Sequence, residues 1–313
     1  MNDSETGTDH HNYETEVVLP AAILSLLLGI LGVLSNGFLL LTLFQDPLKC
    51  FKARSPVVFV FFLALSDFLG SFIVQLPHSI CMFCRIAQIE LNTLYNVAVI
   101  GSHLGTKISV FTVVGMSFDR YLAVKLIWRY RSLVKFQRVI FLNVCLWIFV
   151  GSFEASHSMD KELMHQIDLH LQTTVPLTLL TLTNLATYLE FRRYSRNSVL
   201  AQGTSSNDSC LTRRNIEIVK NIVKVVLMIM AVLFVSLIPY LVTKNLNGEH
   251  CHGKEHCNES TDFAAAKNIA ISLLGVSSVV NPFLYAFRIS NYRRAFKLVF
   301  IQVCGGTQTP DLP

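Results

Sequence analysis

The tripeptide Asp119-Arg120-Tyr121 places an acid and a base side by side where a long apolar run meets a basic segment. At a bilayer boundary such a pair can be satisfied by its own partner, or by water and a protein that docks there, which gives two states of comparable energy. The chemistry expected here is a conformational switch. The sequence has no metal-ligand cluster or nucleophile–base pair at a usable spacing, which argues against an enzyme.

Other ionisable residues lie inside apolar runs. Asp67 is near the middle of one, where an unpaired carboxylate costs about 3 kcal/mol, so it should face the interior of a helix bundle. Lys107 is 13 residues from Arg120 and Glu154 is 16 from Arg138, about 20 and about 24 Å along a helix, so the two lie at similar depth. Either Lys107 and Glu154 form a structural ion pair, or Lys107 is the counter-ion of an acidic ligand. The other polar residues of this candidate ligand site are Ser102, His103, Thr106, Asn96 and Asp168.

The elements that carry these residues are long and apolar. Of the 313 residues 52% are hydrophobic and 15% are charged, and the mean hydropathy of +0.47 is too high for a soluble domain. The pattern predicts an all-α membrane protein, a bundle of seven transmembrane helices followed by a short amphipathic helix. The predicted spans are 17–44, 55–82, 92–123, 139–157, 167–189, 222–242 and 267–287.

Charge sets the predicted orientation. One side of the bundle collects 20 of the 26 Lys and Arg residues and is therefore predicted to be cytoplasmic. The first span then acts as an uncleaved signal-anchor, with the amino terminus outside a multi-pass protein of the plasma membrane. The net charge of +5 reflects this topology and not nucleic-acid binding.

The predicted organisation has four parts. An extracellular tail at 1–16 precedes the bundle at 17–289, and an amphipathic membrane-surface helix at 290–304 precedes a cytoplasmic tail at 305–313. In the amphipathic helix one face holds Tyr292, Phe296, Val299 and Phe300, so this helix should bind membrane lipid.

Several residues are candidates for covalent modification. Cys251 and Cys257 flank a polar outer segment and are predicted to form a local disulfide, with a metal site as the alternative because two histidines lie between them. The sequons at Asn2 and Asn258 face outside and are available for glycosylation. Cys304 is a palmitoylation candidate, or else a free cytosolic thiol.

Each predicted span carries one characteristic residue or motif. They are Gly32-Val-Leu-Ser-Asn36, Leu63-Ala-Leu-Ser-Asp67, Asp119-Arg120-Tyr121, Trp147, Pro176, Pro239 and Asn281-Pro-Phe-Leu-Tyr285. Through these residues the chain resembles a rhodopsin-like (class A) G-protein-coupled receptor across all seven spans. The resemblance implies a receptor that binds an extracellular ligand and activates a heterotrimeric G protein by outward movement of span six, with arrestin as a further partner.

The same resemblance assigns roles to residues. It implies a sodium pocket beside Asp67, the one cofactor suggested, and a polar network filled only with water is the alternative. Pro239 is implied to be the hinge of span six, against the alternative of a static kink. The sodium-pocket residues are Asp67, Asn36, Ser109, Ser277, Ser278 and Asn281, and the G-protein switch residues are Asp119, Arg120, Tyr121, Asn281, Pro282, Tyr285 and Pro239.

Three positions depart from the family pattern. Tyr95 replaces the cysteine usually tied to the second outer loop, Leu237 replaces the tryptophan two residues before Pro239, and Asn184 replaces a tyrosine of span five. The missing disulfide, the short second outer loop and the Cys251 and Cys257 pair give a partial likeness to melanocortin, cannabinoid and lysophospholipid receptors.

Two positions restrict the ligand. Gly275 stands where an opsin needs its retinal-bearing lysine, and Ser102 stands where amine receptors place an aspartate, so the resemblance argues against retinal and simple biogenic amines. Two alternative functions remain, a receptor-like protein without G-protein coupling and a small membrane transporter. A transporter predicts inverted repeats or broken spans, which the sequence lacks.

Overall fold

Helices joined by short turns make up the part of the chain that the structure, a computed structural model, describes: residues 3–49, 51, 55–126, 129–156, 167, 170–200, 224, 227–243, 245–246 and 261–304. The helices are α1 Asp3–Gln45, α2 Ser55–Gly70, α3 Leu76–Ile86, α4 Asn92–Lys125, α5 Tyr130–Leu133, α6 Phe136–Ser156, α7 Val175–Leu200, α8 Leu227–Thr243, α9 Thr261–Arg288 and α10 Ser290–Cys304. Two short π-helical segments, Ser71–Gln75 and His170–Thr174, precede α3 and α7.

The described helices follow the predicted spans with shifted ends. Five stretches have the length and composition to cross a membrane: Val18–Gln45, Ser55–Ile86, Asn92–Lys125, Phe136–Ser156 and Ala265–Phe287. The helix of span six, α8, is shorter within the described residues. The helix of span five, α7, is long but less apolar, since threonines and Asn184 interrupt its leucines.

Helical backbone extends beyond the membrane-spanning part of α1 and precedes α7. Helix α1 begins at Asp3, so helical backbone extends into the segment predicted as a tail. Helix α7 begins at Val175, directly after the π-helical segment His170–Thr174, so helical backbone extends towards the predicted start of span five at 167.

Each π-helical segment lies just before a proline. Pro77 and Pro176 have no N–H, so neither can donate a hydrogen bond to the carbonyl four residues earlier. In both cases the residue with that carbonyl belongs to the π-helical segment. Within the first segment Ser71 donates its hydroxyl to the carbonyl of Asp67 at 2.7 Å. The helical path of span two is therefore distorted directly after the residue predicted to be its buried acid.

The chain divides into two compact units. The first unit contains Met1–Gly37, Leu65–Lys107 and Ala231–Val280, and the second contains Phe38–Ala64, Ile108–Met230 and Asn281–Pro313. In the first unit Val18, Ala21, Ala22 and Met82 form a buried cluster against which Ile86 packs.

Large apolar side chains on the outside of the second unit are numerous. On α6, Phe141, Leu142, Ile148 and Phe149 are each more than half exposed. Such a surface is unfavourable in water and suited to lipid, since a bilayer solvates apolar side chains while helices satisfy the backbone internally.

Helix α10 packs through one face, as an amphipathic helix should. Tyr292, Ala295 and Val299 are buried, at i, i+3 and i+7 spacing. Phe300, about 100° around the helix from Val299, is 58% exposed, and an exposed apolar side chain at the edge of this face is suited to lipid.

Candidate functional site

The acid of the Asp119-Arg120 pair is held from two sides. Both residues are buried, at 3% and 8% exposure, in the last two turns of α4. Arg120 donates through Nη2 to Oδ2 of Asp119. Tyr130, at the start of α5, donates its hydroxyl to Oδ1 at 2.6 Å, and the hydroxyls of Tyr130 and Ser55 lie 2.7 Å apart.

Proton counting fixes the direction of this chain of hydrogen bonds. The single proton of Tyr130 goes to Asp119, so the Ser55 hydroxyl must donate to the Tyr130 oxygen. Burial raises the pKa of the Tyr130 phenol, and the nearby Asp119 carboxylate raises this pKa further. The phenol therefore stays protonated and remains a donor at physiological pH.

The guanidinium of Arg120 can still donate further hydrogen bonds. Its Nε is buried and has no hydrogen-bond partner within the described part of the chain. Arginine carries five N–H donors in a fixed fork, and leaving a buried donor unsatisfied is unfavourable. The arrangement holds Arg120 while leaving it able to gain further contacts.

Tyr121 does not take part in this arrangement. Its hydroxyl accepts a hydrogen bond of 2.7 Å from Lys125 Nζ, which also lies 5.2 Å from the centre of its ring. The third residue of the motif is therefore tied to its own helix, one turn further on.

The end of α9 is packed against α10 and the loop after α1. The rings of Tyr285 and Tyr292 stack at 5.6 Å, and Tyr292 lies 4.7 Å from Phe51. The carboxylate of Asp46 accepts the backbone N–H of Phe51 at 3.1 and 3.2 Å, which fixes that loop. Pro282 is buried within α9, one turn before Tyr285.

Part of the predicted sodium pocket comes together in the first unit. Ser278 donates to Oδ1 of Asp67 at 3.0 Å, and Asn36 donates to the backbone oxygen of Ser278 at 2.9 Å. Ser277 instead donates to the carbonyl of Leu274 in its own helix at 2.9 Å. The two remaining predicted residues, Ser109 and Asn281, belong to the second unit.

A second polar network in the first unit was missed by the sequence reasoning. The hydroxyl of Ser25 lies 3.1 Å from the backbone oxygen of Gln75 and 3.3 Å from both Gln75 Oε1 and His78 Nδ1. Gln75 Nε2 donates to the carbonyl of Ser272 at 2.8 Å, and Asn268 is a further polar neighbour of the fully buried His78. The signal that could have found it is the spacing of Ser71, Gln75 and His78, which puts three polar residues on one face of an apolar run.

The candidate ligand residues on α4 divide by how their polar groups are used. Ser102 and Thr106 donate to carbonyls of α4 itself, at 2.7 Å each. The ring nitrogens of His103 lie 3.0 Å from the hydroxyl of Tyr240, a residue of α8 that the sequence reasoning did not single out. Lys107 is fully buried.

The remaining predicted residues are more exposed or lie outside the description. Asn96 is exposed, Glu154 is half-buried in the second unit, and Cys304 is exposed at the end of α10. The pairing of Lys107 with Glu154 stays a prediction. Predicted residues outside the described ranges are Asp168, Cys251, Cys257, Asn2 and Asn258.

Comparison with known proteins decides the family. The sequence model described as 7 transmembrane receptor (rhodopsin family) matches residues 35–285, most of the chain. The chain belongs to the rhodopsin family of seven-transmembrane receptors. The receptor is thus a multi-pass membrane protein of a family of receptors and not of enzymes.

A solved structure supports the same fold for this receptor. The crystal structure of squid rhodopsin matches it with a TM-score of 0.77, over 95% of this chain and 89% of that chain, at 15% sequence identity. This likeness confirms the predicted all-α, seven-transmembrane architecture with the helix α10 after the seventh span.

Proposed function

We propose that this receptor binds an extracellular ligand and then activates a heterotrimeric G protein by outward movement of span six. The observation that carries the proposal is the double hold on Asp119 by Tyr130 and Arg120 at the end of α4. An acid held by two partners that can each be released is a two-state element, and a switch needs one.

Release of Arg120 is the step that a docking protein would favour. A G-protein segment that offers carbonyl oxygens can fill the donors of Arg120, including the Nε left without a partner among the described residues. The G protein then shifts the equilibrium between held and released Arg120. The size of this shift equals the difference between its binding free energies for the two states.

Movement of span six is supported by a weak polar contact between α7 and α8. Asn184 Nδ2 lies 3.5 Å from Met230 Sδ, a weak acceptor, while it donates to the carbonyl of Leu180 at 2.8 Å. Pro239 lies within α8 and removes one backbone hydrogen bond there, which makes a bend accessible. A weak contact together with a bend gives a helix that can move.

For the ligand, we propose the site around His103, Tyr240 and Lys107 in the first unit. A fully buried lysine favours an acidic ligand group or an acidic side chain as its partner. Retinal is not proposed, since a Cβ at Gly275 would already lie 2.1 Å from Gln75 Nε2. A lysine at that position would need Gln75 to move.

Sodium beside Asp67 is part of the proposal. The candidate ligands for sodium are the buried carboxylate of Asp67 and the hydroxyl oxygen of Ser278. This hydroxyl donates its proton to Asp67, so its oxygen still has lone pairs for a cation. Oxygen donors of this kind suit a hard cation. Bound Na⁺ would neutralise the carboxylate and stabilise this packing of spans one, two and seven.

The cellular setting is also proposed. The receptor lies in the plasma membrane with its amino terminus outside, in keeping with the charge asymmetry of its loops. Arrestin would be a further partner on the cytoplasmic side. The modifications proposed are glycosylation at Asn2 and Asn258, a disulfide between Cys251 and Cys257, and palmitoylation at Cys304.

The proposal is tested by nucleotide exchange on a panel of G proteins, with the receptor in membranes and without ligand. Exchange above the empty-membrane level should disappear in Arg120→Ala while surface expression is kept, because the docking cation is gone. Arg138→Ala is the matched control, since the Arg138 side chain donates to the exposed carbonyl of Leu133 at the end of α5, and this is its one side-chain hydrogen bond among those described. Unchanged exchange in Arg120→Ala overturns the switch.

A second candidate, a receptor-like protein without coupling, is favoured by Leu237. This residue is 2% exposed and fills the position where the family usually has tryptophan. Normal surface expression with no exchange on any G protein of the panel would support this candidate against the first.

A further inference from the structure

Two cysteines lie one turn apart near the end of α3. Cys81 and Cys84 are at i and i+3 of this helix, and both are free thiols in the described part of the chain. Cys81 is 7% exposed, whereas Cys84 is half-buried. Positions i and i+3 are neighbours on the surface of a helix, so the two thiols share one face of α3.

We propose that Cys81 and Cys84 form a dithiol site that reacts with low-molecular-weight disulfides outside the cell, of which oxidised glutathione is the type. The site lies at the end of span two that the loop charges predict to be extracellular, so the proposal rests on that orientation and not on G-protein coupling. Disulfides persist in that compartment, so a disulfide reagent is present there.

The exchange proceeds in two balanced steps. The thiolate of the more accessible Cys84 attacks one sulfur of the disulfide, forms a mixed disulfide and releases one reduced thiol. The Cys81 thiolate then attacks the Cys84 sulfur, forms a bond between Cys81 and Cys84 and releases the second thiol. The dithiol loses two electrons and two protons, and one disulfide is reduced to two thiols.

The position of the pair in the helix favours a reversible bond. Residues at i and i+3 have Cβ atoms about 5–6 Å apart in a helix, whereas a disulfide needs about 3.5–4.5 Å. The turn of α3 between Cys81 and Cys84 must therefore tighten, and strain makes a disulfide easier to reduce.

The helix end can yield in this way. Helix α3 stops at Ile86, and the carbonyl of Cys84 accepts its hydrogen bond from Ile89, beyond the helix. The chain turns at Gln88, which has a positive φ of 60°. The turn from Cys81 to Cys84 lies next to this end, and Ile86, which packs on the Val18 cluster, moves with it.

The experiment uses the full receptor in lipid nanodiscs, treated with oxidised glutathione and analysed by peptide mass spectrometry. In the wild type, the peptide with both cysteines should lose two hydrogens and regain them with dithiothreitol. Cys81→Ser should instead keep glutathione on Cys84, because no thiol remains to displace it. Cys84→Ser should carry no adduct at Cys81, since that thiol is buried.

The control is Cys145→Ser, which removes an exposed cysteine of α6 and should leave the pair's reaction unchanged. The proposal is overturned if the wild type retains glutathione, if neither thiol reacts, or if Cys84 is found bonded to Cys251 or Cys257. Reaction in nanodiscs but not on intact cells, where charged glutathione stays outside, overturns the extracellular placement. None of these readouts depends on coupling.

Discussion

Tyr130 donates a 2.6 Å hydrogen bond to Oδ1 of Asp119, the carboxylate that also accepts Arg120 through Oδ2. The short helix α5 is thereby fixed to the end of α4 through the carboxylate of Asp119. Because Ser55 donates to the same phenol, the start of α2 belongs to the arrangement as well.

Tyr130→Phe should raise nucleotide exchange in the absence of ligand. The substitution keeps the ring and removes the hydroxyl, so Asp119 loses a bond and releases Arg120 more readily. A hydrogen bond to a charged group contributes about 1.5 kcal/mol, which corresponds to about tenfold in the equilibrium between held and released states. The measurement is G-protein nucleotide exchange per receptor at equal surface expression.

Tyr188→Phe is the matched control for this variant. Tyr188 is 57% exposed, so loss of its hydroxyl should leave exchange at the wild-type level. If Tyr130→Phe and Tyr188→Phe behave alike, the phenol does not restrain the switch.

Asn184→Leu should give a smaller rise in ligand-free exchange, about threefold. Polar contacts between membrane helices contribute about 0.6 kcal/mol on average, and the Asn184 contact to Met230 joins α7 to α8. A double-mutant cycle with Met230→Leu isolates this contact. If this contact restrains exchange, the double variant should show the same ligand-free exchange as Asn184→Leu. If the effects of the two substitutions simply add, the contact is not the cause.

Sodium should lower ligand-free exchange in the wild type but not in Asp67→Asn, because the amide carries no charge to hold the cation. Replacing NaCl by the chloride of a large organic cation at constant ionic strength measures the effect. Ser278→Ala should weaken the response, whereas Ser277→Ala should keep it, since the Ser277 hydroxyl is bonded to its own helix. A sodium response that survives Asp67→Asn excludes this site.

Gly275→Ala should destabilise the receptor. The new Cβ would meet Gln75 Nε2 at 2.1 Å and displace the amide from the Ser272 carbonyl, at a cost of about 1–3 kcal/mol. Gly105→Ala is the control: its Cβ meets no described atom within 4 Å, so the higher helix propensity of alanine should give about 0.5–1 kcal/mol of stabilisation. Thermal unfolding in nanodiscs measures both, and equal melting temperatures would show that the close approach at Gly275 is unimportant.

The spans could be predicted because a bilayer imposes length and hydropathy on each helix separately, with no knowledge of its neighbours. That is why Asp119 and Arg120 were placed at a helix end, and Asp67 inside a span, without any tertiary information. Span five is the least clearly marked for the same reason, since its threonines weaken a signal that depends on hydropathy.

The sequence by itself determined the family, the seven spans and the acid–base pair at the end of span three, because these depend on residue types at fixed spacing along one chain. Only the tertiary structure decided that Tyr130 and Ser55 hold Asp119, that Ser278 and not Ser277 bonds Asp67, and that Tyr240 meets His103. These contacts join residues that are 11 to 211 positions apart, and the rotation of each helix about its axis selects them. Rotation is set by packing against neighbouring helices, which the pattern of one helix does not contain.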